Sequence, residues 1–423
     1  MPYLPRVIDA ELDALLPAAP AIALEGPKAV GKTETLVRRS SSPFYLDDVA
    51  VRSLVAADPS LVTTAPGPVL LDEWQRLPEV WDVVRRQVDR SPGEPGFLLS
   101  GSATPTGAET HSGAGRIITL RMRPLSLYER QLVDDHVSLR DLLSGARPEV
   151  TGTSTVGLKD YVKELVSSGF PAIRSARPPV RDALLDGYLQ RIVQHDFPDQ
   201  GLMVRRFDAL RAWLQAYAAA TSTSTAYNRI LDAATPGEAE KPARSTTESF
   251  RTILTQLWIL EPVPAWVPTD TPLKRLARSP AHHLADPALA VRLLGLSEES
   301  LLRGEEGGPR SLRDGQQLGR LFESLIIQSV RVYAQAAGAR VSFLRTSRGE
   351  HEVDIIVERQ DGRVVALEVK LARVPADDDL DHLRWLKREL GEDLLDAVVI
   401  TTGQYAYRRP DGIAVIPAAM LGP

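Results

Sequence analysis

The chain has 423 residues, 43% hydrophobic and 25% charged, with a formal net charge of −5 and no cysteine. The missing cysteine excludes disulfides, thiolate zinc sites and cysteine nucleophiles, and the slight acidic excess means that any contact with nucleic acid must come from a local basic surface. Single cores rarely grow past about 250–300 residues, so several domains are expected. The N-terminus lacks the apolar segment of a signal peptide, and no stretch approaches the roughly 20 apolar residues of a membrane span, which makes a cytoplasmic protein without membrane contact the expectation.

The first predicted element is a buried strand over 21–24. It runs directly into Gly26, Pro27, Lys28, Ala29, Val30, Gly31, Lys32 and Thr33, which spell G-x-x-x-x-G-K-T. Strand, glycine-rich loop and helix in that order make a phosphate-binding loop. The glycines let backbone N–H groups close around the phosphates of ATP, and the following helix adds its positive end. In this reading Lys32 reaches the β- and γ-phosphates and the Thr33 hydroxyl ligates Mg²⁺.

Further apolar runs at 44–46, 68–71, 97–99 and 117–120 alternate with helical patterns. In 79–90, for example, Val80, Val83, Val84 and Val88 share a face. The alternation predicts an α/β domain with a parallel sheet. The turn-rich loops at 91–96 and 105–115 lie near strand ends, where such sheets bind ligands. Val69-Leu70-Leu71-Asp72-Glu73 is an apolar strand ending in two acids. Asp72 is placed to hold Mg²⁺ through its water shell and Glu73 to orient or deprotonate the attacking water. An isolated acid pair at a strand end is common, so the assignment rests on its position behind the phosphate loop. Ser100 closes the next strand, where it can hydrogen-bond the γ-phosphate or the water. Arg116, Arg121 and Arg123 are candidate arginine fingers, and no choice among them follows from the residues.

The segment from about 123 to 287 reads as mostly helical, with helices at 161–167 and 181–195 joined by Ser168-Gly169-Phe170-Pro171. A helix-turn-helix pattern follows at 207–220 and 225–233. Ser245-Thr246-Thr247-Glu248 then has the form of a capping box opening a third helix, with Phe250, Ile253, Leu254 and Leu257 as its apolar stripe, and 258–267 as a wing. Few basic residues fall on that third helix, so packing is the more ordinary role for this unit than DNA contact. A Gly/Glu/Arg-rich linker spans 304–314.

The last part reads as a helix at 316–337, strands at 341–345, 352–358 and 364–371, a helix at 380–390 and a strand at 397–401. Asp354 falls in the second strand and Glu368-Val369-Lys370 in the third. Residues two apart in a strand share a face, so Glu368 and Lys370 project together while Leu367 and Val369 face the core. Two carboxylates with a lysine are what metal-dependent phosphodiester hydrolysis needs. The acids hold Mg²⁺ or Mn²⁺, and the lysine orients water or stabilises charge on the phosphate. Glu323 can add an outer carboxylate. Alternating charge is also ordinary patterning for a half-exposed strand.

The ordered set G-P-K-A-V-G-K-T (26–33), L-D-E-W-Q (71–75), L-L-S-G-S (98–102), R-P-L-S-L-Y-E (123–129), S-G-F-P (168–171), L-G-R-L-F-E (318–323), E-V-D (352–354) and L-E-V-K (367–370) resembles the bacterial and archaeal AAA-type ATPases that carry a C-terminal restriction-endonuclease-like domain of unknown function. The resemblance covers nearly all of the chain. It implies an additional-strand P-loop core with Glu73 as the catalytic acid, a helical and winged-helix-like middle, and a C-terminal restriction-endonuclease-like α/β domain. Trp74 stands where an aliphatic residue is usual. The expected boundaries are 1–130 for the ATPase domain, 131–205 for a helical lid or linker, 206–303 for the winged-helix-like region and 310–423 for the nuclease-like domain. Two functions follow as expectations. One is an ATPase coupled to a nuclease-like domain that acts on DNA or RNA with a divalent metal. The other is an ATP-driven switch or scaffold whose nuclease-like domain is inactive and binds a protein or nucleic-acid partner. Assembly into a homo-oligomer is common for AAA-type ATPases.

Overall fold

The computed structural model describes residues 3–90, 96–102, 114–199, 207–235, 244–267, 278–303, 315–346 and 349–423. The loops expected at 91–96 and 105–115 lie almost wholly outside the described residues, and the linker at 304–314 lies entirely outside them.

The chain is mixed α/β. Its first sheet contains β1 (Ala21–Glu25), β2 (Ser42–Tyr45), β3 (Val69–Asp72), β4 (Phe97–Gly101) and β5 (Ile118–Arg121), in the order β2-β3-β4-β1-β5. Every pairing is parallel. The three inner strands, β1, β3 and β4, are buried almost throughout while the edge strands are only partly so. Burial on both faces is why the inner strands read as unbroken apolar runs. β4 lies between the strand that delivers the phosphate loop and the strand that ends in Asp72, the additional-strand arrangement. Helix Glu79–Arg90 buries Val80, Val84 and Val88 against this sheet, leaving Val83 half-buried at the margin of the stripe.

Helices dominate the middle, with two departures from expectation. The helix expected at 181–195 begins at Pro178, is α-helical to Arg191 and continues as a π-helical turn over Ile192–Asp196. The third helix of the helix-turn-helix unit spans Arg244–Gln256, which puts Ser245 inside its first turn rather than at the cap. The helix's apolar stripe, Phe250, Ile253, Leu254 and Leu257, is buried as expected. Antiparallel bridges join Leu260 to Leu284 and Val263 to Ala281, tying the segment expected as a wing, 258–267, to 281–284; residues 268–277 lie outside the described set.

The C-terminal sheet is larger than expected. Besides β9 (Arg340–Arg345), β10 (Glu352–Glu358), β11 (Val364–Val369) and β12 (Leu394–Thr401), it contains β13 (Tyr405–Arg408) and β14 (Ala414–Pro417). Two short strands from the middle region complete its edges, β7 (Gly152–Thr153) and β8 (Ala265–Trp266), in the order β7-β13-β14-β12-β11-β10-β9-β8, while β6 (Val137–Ser138) pairs separately, in parallel with β15 (Leu421–Gly422). The end of the expected wing therefore pairs in parallel with β9, Ala265 opposite Phe343. Beyond a register shift at 353–356, alternate residues divide between two cores. Ile355, Val357, Val365 and Leu367 join the cluster that includes the long helix Gly315–Ala336, whereas Val353, Ile356, Val364 and Ala366 pack with Leu383 and Leu386 of helix Asp381–Leu390. The larger core also takes in Ile22 and Leu24 of β1, so apolar packing is continuous from the first sheet to the last. Among the described residues no helix is long and apolar enough to cross a membrane.

Candidate functional site

At the end of β1 the chain turns through Gly26, whose φ is +158°; a Cβ there would lie 2.2 Å from the carbonyl oxygen of Met122. No side chain can occupy that position without moving β5 away from the loop. Gly31, at φ +106°, caps helix Lys32–Val37. Arg6, ahead of the unanticipated N-terminal helix Val7–Leu15, braces the loop from behind, its Nη1 donating to the Val30 carbonyl at 2.8 Å.

Lys32 is buried, and its Nζ donates to the carbonyls of Gly26 and Pro27 at 2.9 Å each and lies 3.0 Å from Ser102 Oγ. Burial lowers its pKa to about 8, against the opposing charges of Glu73 and Asp72. Thr33 Oγ1 donates to Asp72 Oδ1 at 2.9 Å, and Ser100 Oγ makes a very short contact with the same carboxylate. Glu73 leaves the strand in the left-handed region, φ 53°, and its Oε2 accepts from Gln75 Nε2 at 2.5 Å. Burial raises the Glu73 carboxyl and Asp72 adds to the shift, while Lys32 opposes it. Three motifs from three strand ends thus meet in one place. Asp72 sits at their centre, touched by Thr33 and Ser100.

Two other residues of this site went unread. Ser102, just beyond the end of β4, contacts Lys32, whereas Ser100 lies within the strand; the string L-L-S-G-S holds both, and only the folded chain assigns the second to the lysine. Asp196 takes an ion pair from Lys28 at 2.5 Å, and Tyr188 donates to the Lys28 carbonyl at 3.3 Å. The extra residue of the π-helical turn shifts the phase of that helix and brings Asp196 to the loop, a use common for π turns at functional sites. Trp74, the departure from the usual aliphatic residue, is buried and packs against Trp81 at 4.7 Å between ring centroids. Gly101 makes room for it, since a Cβ there would lie 2.6 Å from Trp74 Nε1.

The arginine-finger candidates are engaged within the chain. Arg121 bonds Glu261 and lies 3.4 Å over the Trp258 ring, and Arg123 donates to Gln335 Oε1 at 2.9 Å. Arg331 closes on Glu261 at 2.9 Å. Burial alone would raise Glu261, but Arg331, Arg121 and Arg123 outweigh it and hold the carboxyl at about 2. Arg116 pairs with Asp89 at the surface at 2.6 Å.

The second acid cluster forms where β10 and β11 separate. Their ladder ends at the pair Ile355–Leu367. Beyond it the Val369 N–H donates to Asp354 Oδ2 at 2.8 Å instead of to a backbone partner. Glu368 is buried, with Oε1 accepting from Lys370 Nζ at 2.9 Å and Oε2 without a hydrogen-bond partner among the described residues. Lys370 also lies 3.9 Å from Asp379. The expectation that Glu368 and Lys370 project together describes this geometry, while Val369 is half-buried and spends its amide on Asp354. Burial raises Asp354 to about 6, against the Val369 N–H and Lys370. Burial and the Asp354 charge push both Glu323 and Glu368 well above the usual carboxylate range. Among the described residues no three His, Cys, Asp or Glu side chains are arranged to hold a metal ion. The unpaired Oε2 and the mutually raised carboxyls are nonetheless what a divalent cation would relieve.

Comparison with known proteins agrees with the first site and leaves the second open. Residues 18–131 match the AAA domain family. Residues 158–300 and 318–421 match two families described as domains of unknown function, DUF8612 and DUF4143. Two relatives, both called uncharacterized proteins, from Mycobacterium bovis and Mycobacterium tuberculosis, are 25% identical over 97% of this chain and 82% of their own. Among solved structures, the Walker-type ATPase of Pyrococcus abyssi aligns over 67% of this chain and 94% of its own, at 15% identity and a TM-score of 0.38. The Drosophila ORC bound to DNA aligns over 69% of this chain and 98% of its own, at 12% identity and a TM-score of 0.23. The chain carries an ATP-binding, AAA-type P-loop ATPase domain.

Proposed function

We propose that the chain is a Mg²⁺-dependent ATPase whose C-terminal domain acts on nucleic acid through the Asp354–Glu368–Lys370 cluster. The observation that carries the first half is the meeting of Thr33 and Ser100 on Asp72, beside a Lys32 held by the loop carbonyls and Ser102. The loop amides of 26–33, with Lys32, bind the phosphates, and Lys32 exchanges its contacts with Gly26 and Pro27 for phosphate oxygens. Thr33 and Asp72 would hold Mg²⁺, which supplies charge neutralisation at the phosphates. Glu73, made more basic by burial, takes the proton of the attacking water. Ser100 and Ser102 orient Asp72 and Lys32 respectively.

In the second half, Asp354 and Glu368 would hold Mg²⁺ or Mn²⁺, with Glu323 as an outer carboxylate and Lys370 aligning water against the phosphodiester. Glu368 Oε2, which has no hydrogen-bond partner among the described residues, supports this reading. The restriction-endonuclease-like architecture belongs to the same proposal, as do the boundaries 1–130, 131–205, 206–303 and 310–423 and assembly into a homo-oligomer. One observation favours the other reading, an ATP-driven switch with an inactive nuclease-like domain: Lys370 is clamped on Glu368 rather than turned outward.

Phosphate release by the purified chain, lost in Lys32→Ala and Glu73→Gln, tests the ATPase. Incubation of DNA and RNA with Mg²⁺ or Mn²⁺, comparing wild type with Asp354→Ala and Lys370→Ala, tests the nuclease. Cleavage unaffected by both substitutions removes the nuclease from the proposal, and absence of cleavage under all conditions leaves the switch.

A further inference from the structure

We propose that Lys28 of the phosphate loop is a catalytic cation for ATP hydrolysis, held by Asp196 in the structure and passed to the γ-phosphate when ATP binds. The proposal rests on the ATPase reading above and on nothing in the C-terminal domain. In hydrolysis, water attacks the γ-phosphorus, the bond to the β–γ bridging oxygen breaks, and ADP and inorganic phosphate leave. Positive charge beside the γ-oxygens stabilises the transition state of that step.

Arginine fingers commonly supply that charge, but Arg121 and Arg123 are turned inward on Glu261 and Arg116 pairs with Asp89. Lys28 is placed differently. It belongs to the loop itself, its side chain is 42% exposed, and its charge acts on both Lys32 and Glu73. It therefore lies within the field of the carboxylate that takes the proton of the attacking water. Its own ammonium neither gains nor loses a proton in the step.

The ion pair with Asp196, Nζ to Oδ1 at 2.5 Å, is a latch rather than a fixture for two reasons. A lysine ammonium on its four-carbon stem changes partner by rotation about side-chain bonds, with no movement of the loop backbone. The γ-phosphate also carries more negative charge than one carboxylate, so a bound triphosphate takes Lys28 from Asp196, whereas ADP, lacking the γ group, leaves the pair closed. Asp196 is buried and needs a donor once Lys28 has gone. Tyr188 is available to it: its hydroxyl donates to the Lys28 carbonyl at a long 3.3 Å and already feels the Asp196 charge.

The latch has a readout beyond the rate. Asp196 closes the π-helical turn Ile192–Asp196 that ends helix Pro178–Arg191. A π turn holds one residue more than an α turn, so it is the part of that helix able to rearrange when the ion pair opens. Loading of the γ site is thereby felt in the helical region.

The test is ATP turnover by the full chain, because the two partners of the pair should change it in opposite directions. Lys28→Met should lower kcat by at least about tenfold, with ADP affinity within about threefold of wild type and Lys28→Arg recovering most of the rate. Asp196→Asn should raise kcat by about two- to fivefold, since the lysine no longer has an ion pair to leave. Equal loss in Lys28→Met and Asp196→Asn identifies a structural ion pair and overturns the proposal. Wild-type turnover matched by Lys28→Met overturns it while leaving the ATPase reading intact; no turnover by wild type removes both. Hydrogen exchange of the wild type needs no variant to fold. Amides of 192–196 should exchange faster with a non-hydrolysable ATP analogue than with ADP, and equal exchange rejects the latch.

Discussion

The ends of β3 and of β11 both gather acids beside a lysine, yet they balance charge in opposite ways. At β3 the polar groups are matched. Asp72 is met by the hydroxyls of Thr33 and Ser100, and Lys32 by two carbonyls and Ser102. At β11 the negative charges outnumber the positive: Asp354, Glu368 and Glu323 are all raised, Lys370 is the one cation held on them among the described residues, and one buried carboxylate oxygen has no hydrogen-bond partner there. A site whose donors and acceptors are already paired is preorganised by the protein itself. A site with surplus negative charge is completed by something positive from outside.

The largest effect that can break this comparison is at β3. Glu73→Gln should lower ATP turnover by at least about a hundredfold while leaving binding intact, and Lys32→Ala should remove both. Equal loss of binding in the two variants, by calorimetry, would erase the separate roles.

The next effect is on pH dependence. Lys32 has its folded pKa lowered to about 8, and phosphate binding needs the protonated form. Binding therefore takes up a proton above pH 8, and ATP affinity should fall there by up to about tenfold per pH unit. Affinity that stays flat up to pH 9.5 would show that the ammonium is not the group held beside the phosphates.

At β11 the sign is that of a raised acid. Asp354 moves from 3.8 to about 6, so its contribution is most favourable below the unfolded value and is lost as pH rises through 6. Urea unfolding should show stability falling between about pH 4 and pH 6 by about 1–3 kcal/mol more in wild type than in Asp354→Asn. Adding Mn²⁺ at pH 7 should recover part of that difference in wild type only. Identical slopes in the two proteins would mean that the acids are not in conflict.

The smallest effect tests packing beneath the first site. Gly101→Ala should cost about 1–3 kcal/mol, because its Cβ meets the Trp74 indole rather than a flexible chain end. Ser102→Ala should raise the KM for ATP a few-fold with little change in stability; a larger change in kcat than in KM would give Ser102 a role beyond holding Lys32.

Residues read in sequence were those whose chemistry is contiguous. The loop 26–33 and the pair Asp72–Glu73 carry their spacing within a few residues, and the inner strands announce themselves as apolar runs because both faces are buried. The same logic located β10 and β11 and paired Glu368 with Lys370. Strands β7 and β8 escaped because two residues have no periodicity to detect. Asp196 escaped because a helical pattern gives no sign of a π turn, and Arg6 because a lone arginine before a helix carries no motif.

What the chain alone determined, then, was local: which strands are buried, where the phosphate loop lies, and which acids stand at strand ends. Tertiary structure decided the long-range matters. It turned Arg121 and Arg123 inward to Glu261, placed Ser102 on Lys32, knitted middle-region strands into the C-terminal sheet, and brought Asp196 to Lys28. Backbone sterics and hydrophobic periodicity act over a few residues and leave a mark in the order of amino acids. Pairing of charges and rings depends on distances across the fold, which that order does not record.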